Sequence, residues 1–136
     1  MVPKDNKQLT RKERDFLVKI VENQHLFPLR LADIARSMQV KPPTALEVIR
    51  RLTGKGYVMS SSGMIIPTEK GKTEYHKIIE AHRVMECVAY LSGEMLENAC
   101  DEVCRYDYLM DHDTVEEIWN MLGKPTVCPH GKLIRG

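Results

Sequence analysis

Residues 82–108 read HRVMECVAYLSGEMLENACDEVCRYDY and concentrate groups that bind transition metals. His82 and Glu86 are four residues apart, so on a helix they share one face. Cys100 and Cys104 repeat that interval, and Asp107 lies three residues beyond Cys104. Imidazole, carboxylate and thiolate groups on two facing helices are the materials of a transition-metal site. Thiolates are soft donors that favour zinc, iron, cobalt or nickel over manganese or magnesium. The same residues have a plainer use: Cys100 and Cys104 as small buried hydrophobes, and His82 with Glu86 as a surface pair. Cys87 shares the apolar stripe of Met85 and Val88 and reads as core. Cys128 and His130 form a CPH turn, and two donors alone are a weak metal signal. No nucleophile, base and oxyanion donor occur together, so the chain is not read as an enzyme.

The rest of the chain has to position these groups. Its 136 residues suit one domain, or a small domain with an appended helical half. With 43% hydrophobic and 29% charged residues the composition is globular rather than disordered. No apolar run approaches the ~20 residues that span a bilayer, and the polar N-terminal stretch lacks a signal-peptide core. The expected location is cytoplasmic, away from membranes, where thiols stay reduced. A net charge of +1 gives no argument for nucleic-acid binding, which must come from local patches.

Residues 1–9 read as a loose arm. Thr10 followed by Glu13 has capping-box spacing and starts a helix at Arg11, with Phe16, Leu17, Ile20 and Val21 as its core stripe. Asn23 and His25 weaken that helix, and Pro28 argues against its continuing. Asp15 falls off the stripe and reads as a solvated acid. Leu31, Ile34, Ala35 and Met38 mark a short second helix. Pro42 and Pro43 suit the first turn of a third, whose buried face is Ala45, Val48, Ile49 and Leu52. Its free face is polar and basic. Strand-like residues 57–60 and 64–66 flank Ser61, Ser62 and Gly63 as a hairpin. Helix, helix, helix and hairpin in that order make a winged helix-turn-helix. Thr68 then caps a helix reaching about residue 91, a second helix covers about 94–110, and a third carries Val115, Ile118, Trp119 and Leu122. These helices hold more apolar surface than a small winged helix can bury, which implies a homodimer. The expected fold is therefore mainly α: a winged helix-turn-helix over residues 1–67 and an α-helical dimerisation domain over 68–136.

The winged helix, the run at His82, the segment ACDEVCRYDYLM and the ending CPHGKLI together resemble the diphtheria-toxin-repressor and manganese-transport-regulator family. The resemblance covers about residues 10–136 and implies a dimeric, metal-activated repressor of palindromic operator DNA. The chain looks like the short form, without the SH3-like domain of longer members. The resemblance also assigns residues. Asp15 matches the first-helix ligand of the family's principal site, Cys104 a second ligand, and Asp107 stands where Glu is usual. Tyr108 replaces the following His, a departure, since a neutral phenol titrating near ~10 is a poor ligand. His82 and Glu86 match residues of the ancillary site, and Cys100 stands where iron-type members have His. A set of His82, Glu86, Cys100 and Cys104 would be four-coordinate.

For DNA, Pro43 and Thr44 can touch thymine methyls, and Glu47 can accept from the cytosine N4 amino group. Lys41, Arg50, Arg51 and Lys55 can hold phosphates. Glu47 departs from the neutral polar residue common in the family. The expected function is a metal-dependent transcriptional regulator of repressor type, sensing Fe2+ or Zn2+ ahead of Mn2+. In the expected mechanism, metal ties the first helix to the dimerisation helices and so fixes the spacing of the recognition helices. Two other readings stay open. One is a DNA-binding regulator whose Cys100 and Cys104 sense oxidation or hold an iron–sulfur cluster. The other is a metal-binding dimer with no DNA-binding role.

Overall fold

The computed structural model describes residues 8–24 and 29–135. His25 and Pro28, expected to weaken and end the first helix, lie outside the described residues, as do Met1 to Lys7 of the arm. The chain divides into two compact units, 1–75 and 76–136.

The first unit is built on α1 (Arg11–Asn23), α2 (Leu31–Ser37), α3 (Pro42–Gly54) and the antiparallel hairpin β1 (Val58–Ser61) and β2 (Met64–Pro67). Helix α1 starts where its capping box requires. The Thr10 hydroxyl accepts from the Glu13 N–H at 3.2 Å, and the Glu13 carboxylate accepts from the Thr10 N–H at 2.9 Å. Phe16, Leu17 and Ile20 of α1, Ile34 of α2 and Val48 and Leu52 of α3 fill the core. Val58 and Ile65 close it from the wing. The hairpin turns through Ser62 and Gly63, both at positive φ.

Helix α4 (Glu69–Leu91) begins on this unit. Thr68 caps it by accepting from the Gly71 N–H at 3.0 Å, and the Thr68 hydroxyl donates to the Gly56 carbonyl at 2.6 Å. Gly71 is required here because a Cβ would lie 2.0 Å from the Tyr57 carbonyl oxygen.

The second unit contains the rest of α4, then α5 (Leu96–Val103), a 3-10 turn over Asp107–Leu109, and α6 (His112–Met121). The sequence predicts one helix over about 94–110, whereas α5 stops at Cys104 and Asp107 enters a separate turn. The break turns the Asp107 carboxylate inward against His82, and burial of a charge requires such a partner. Ala81, Val84, Cys87, Val115, Cys128 and Ile134 form one buried cluster, and Ala89, Ala99 and Val103 form another. The tail is more ordered than its lack of periodicity suggests. A bridge between Val127 and Leu133 makes it a small loop, closed by the Cys128 N–H on the Lys132 carbonyl at 2.8 Å.

Candidate metal centre and DNA-binding face

Two groups of metal-competent side chains lie in the second unit. In the first, His82 from α4 meets Cys100 from α5 and Cys104 from its C-terminal cap, with one ligand atom from each within 4.8 Å of the others. The His82 Nε2 is 3.4 Å from the Cys100 sulfur, and its Nδ1 is 4.0 Å from that of Cys104. Asp107 sits 2.8 Å from Nδ1. A carboxylate there fixes a proton on Nδ1 and leaves Nε2 as the coordinating nitrogen. Burial alone would lower the His82 pKa, but Asp107 and Cys104 as hydrogen-bond partners and the charge of Glu86 push it up to about 9. The imidazolium thus occupies a pocket whose anionic partners favour a cation.

The second group is Glu86, Cys128 and His130, again within 4.8 Å. His130 Nδ1 lies 2.6 Å from one Glu86 oxygen, and His82 Nε2 lies 3.5 Å from the other. The Nε2 of His130 is 3.1 Å from the Leu96 carbonyl. A carbonyl can only accept, so Nε2 donates to it, and Nδ1, which faces the Glu86 carboxylate, is the nitrogen that a metal would take in place of a proton. The two histidines are therefore anchored through different ring nitrogens, His82 through Nδ1 and His130 through Nε2, and each turns its other nitrogen towards a carboxylate and a thiol group. The donors fit a divalent transition ion, with softer thiolates in both groups.

The expected four-residue set is thus divided. His82, Cys100 and Cys104 stay together with Asp107, while Glu86 gathers Cys128 and His130. Sequence spacing assigns Glu86 to its helical neighbour His82, but a side chain one turn on can face a different loop. The CPH turn was the available signal for the second group, and it lacked a third donor until Glu86 joined it. Asp15 belongs to the first unit, where Arg11 at 3.1 Å and Arg14 at 3.0 Å hold its carboxylate. Tyr108 lies in the 3-10 turn, half-buried.

Lys41, the N-cap of α3, is exposed, as are Pro43, Glu47, Arg50 and Arg51 on the helix, and Thr44 is half-buried. Lys55 follows the helix and turns inward. Its ammonium lies 2.5 Å from Glu13 and donates to the Gln8 carbonyl at 2.9 Å. Arg51 stands 3.6 Å from both Glu13 and Glu47. Glu13 is fully buried; burial would raise its pKa, but Lys55, the Thr10 N–H and Arg51 hold it below the usual carboxylate range. This buried acid and its two basic partners are absent from the sequence reading, which gave Glu13 only its capping role.

A winged helix-turn-helix joined to a helical unit carrying these donors defines a class, the metal-responsive DNA-binding regulators. The model of the iron-dependent-repressor metal-binding and dimerisation domain matches residues 68–136. The chain belongs to that family, whose members are transcriptional regulators and not enzymes. A curated relative, an uncharacterized HTH-type transcriptional regulator of Methanocaldococcus jannaschii, is 28% identical over 109 residues, 78% of this chain and 84% of the relative. A solved hypothetical protein of Sulfolobus solfataricus is 29% identical, with a TM-score of 0.83 over 94% of this chain and all of its own. The manganese regulator SloR shares the fold at 23% identity and a TM-score of 0.78, and this chain covers 61% of its length. Among the described residues, no helix is long and apolar enough to cross a membrane.

Proposed function

We propose that this chain is a cytoplasmic, homodimeric repressor-type regulator whose binding to operator DNA depends on a thiophilic divalent metal, Fe2+ or Zn2+ ahead of Mn2+. Residues 1–67 carry DNA binding, and 68–136 carry metal binding and dimerisation. The observation that carries the reading is the meeting of His82, Cys100 and Cys104 around a buried imidazole that Asp107 orients. His82 would hold the metal through Nε2, the two thiolates would supply soft donors, and Glu86, Cys128 and His130 would hold a second ion. Asp15 enters through the family resemblance, and a metal there would compete with the guanidinium groups of Arg11 and Arg14. When bound, the metal supplies a charge that draws these donors together.

On the DNA side, Lys41 and Arg50 are the phosphate contacts, Pro43 and Thr44 meet thymine methyls, and Glu47 reads cytosine. Arg51 and Lys55 act first on Glu13, and their contact with phosphate is secondary. The homodimer is supported by exposed apolar side chains in the second unit: Tyr90, Leu91, Met95, Met121, Val127 and Leu133. Trp119 is partly used within its own unit, since its ring nitrogen donates to the Pro125 carbonyl at 2.9 Å and Arg135 stacks on its face.

The test is capture of genomic double-stranded DNA by chelated protein and by protein loaded anaerobically with Fe2+ or aerobically with Zn2+. Enrichment of a palindromic sequence only with metal supports the reading. Equal capture with and without metal, or no capture at all, would refute it. Cobalt(II) gives the site directly. Loss of Cys100 and Cys104 should remove most of the thiolate charge-transfer band and leave the part due to Cys128.

A further inference from the structure

Cys128 has two neighbours of different chemistry. On one side stand Glu86 and His130, its companions in the second donor group. On the other stands Cys87, which follows Glu86 on α4 and so points about 100° away from it round the helix. Cys87 and Cys128 are both buried in one hydrophobic cluster. Both also line a cavity of about 250 Å3, whose wall includes the exposed side chains of Tyr90, Leu91 and Val127. The Cys87 thiol lies 3.9 Å from the Val127 carbonyl oxygen, one peptide unit before the Cys128 Cα. Neither the DNA-binding reading nor the donor groups make any use of Cys87.

We propose that Cys87 and Cys128 form a thiol pair that peroxide joins into a disulfide, and that a metal held by Glu86, Cys128 and His130 excludes this reaction. The second half rests on the metal reading above; the first does not. Cys128 can turn to the donor group or to Cys87, but its single sulfur cannot serve both.

Hydrogen peroxide is the oxidant. The Cys128 sulfur attacks one peroxide oxygen, the O–O bond breaks, and the thiol proton leaves with the other oxygen as water. The product is a Cys128 sulfenic acid. The Cys87 sulfur then attacks that sulfur, the S–O bond breaks, and the hydroxyl leaves with the Cys87 proton as a second water. Two thiols and one peroxide give one disulfide and two waters, with two electrons passing from sulfur to peroxide. The bond takes Cys128 out of its donor group, so oxidation would lower metal occupancy until a reductant restores both thiols.

The experiment uses the reduced full chain, chelated or preloaded with Zn2+ and exposed to hydrogen peroxide. It is read by intact mass and by mapping of linked peptides after alkylation. The chelated protein should lose two hydrogens in mass and yield a Cys87–Cys128 peptide, and Zn2+ should slow this at least about tenfold by occupying the thiolate. Cys87→Ala should abolish the linked peptide and keep the wild-type Zn2+ stoichiometry. A link between Cys100 and Cys104, or between two chains, in place of Cys87–Cys128 would overturn the pairing and leave the metal reading intact. A Cys87–Cys128 bond forming equally fast with Zn2+ bound would overturn the exclusion. Zn2+ stoichiometry in the same samples shows whether the metal reading has failed with it.

Discussion

Both units bury carboxylates, and they compensate them in opposite ways. In the first, Glu13 meets the ammonium of Lys55 and the guanidinium of Arg51, groups with donors only and no lone pair to offer a metal while charged. In the second, Glu86 meets the imidazoles of His82 and His130, and Asp107 meets His82. An imidazole can give up its proton and offer a lone pair, and here thiols stand beside it. The first arrangement closes a fold, since the cation is covalently part of the chain. The second leaves the cation exchangeable, with an ordered set of donors behind it. A buried acid therefore marks a structural pair or a ligand site according to the kind of base that faces it.

The largest effect should come from breaking the permanent pair. Lys55→Met removes the ammonium 2.5 Å from a fully buried carboxylate and leaves Glu13 with the longer contact to Arg51. Urea unfolding of the winged-helix unit should show a loss on the order of 3 kcal/mol, discounted for the partial exposure of Lys55. The pair also has a pH signature. The folded pKa of Glu13 lies below its ordinary value of 4.5, so its contribution is fully present above that value. It is lost as pH falls through the depressed folded pKa. Lys55→Met should flatten the acid limb of stability against pH; an unchanged limb would assign that limb to other carboxylates.

The exchangeable side is sharpened by Asp107→Asn. Asparagine can present its amide oxygen to Nδ1 or, flipped, its amino group, so the imidazole loses its fixed tautomer and a negative charge. Zinc affinity, measured by competition with a chromophoric chelator, should fall about 10- to 100-fold, the usual cost of losing an outer partner of a ligating histidine. Stability of the winged-helix unit should stay unchanged. A loss of more than about 1000-fold would instead make Asp107 a direct ligand, because it would exceed what orientation alone supplies.

Much of this was legible in the sequence, and the divisions fall on physical lines. Helices α1 and α3 announce themselves through a capping box, paired prolines and apolar stripes, all of them local signals. The hairpin is local too, set by Ser62 and Gly63. The first donor group was legible because Cys100 and Cys104 are one turn apart and His82 starts the preceding cluster. The break after Cys104 was not, since no glycine or proline marks it and it depends on Asp107 finding His82. Glu86 was assigned to His82 by spacing, yet its closer contact comes from His130, far along the chain. Glu13 and Lys55 are likewise distant in sequence, and a polar helix face does not reveal which of its cations turns inward.

That last ambiguity gives the smallest prediction, which separates cations of one helix face by their partners. Arg50 is exposed on α3, whereas Lys55 spends its donors on Glu13 and Gln8. A side chain that holds phosphate releases a counterion on binding, so its neutralisation lowers the slope of log affinity against log salt by about one unit. Arg50→Gln should do this on metal-loaded protein and weaken binding to every sequence alike. Lys55→Gln should leave the slope nearly unchanged at a temperature where the variant remains folded. Its ammonium already has a protein carboxylate as counterion, and that contact is kept when DNA binds. A full unit of slope lost in Lys55→Gln would mean that DNA draws the ammonium away from Glu13, and the permanent pair of the first unit would then be exchangeable as well.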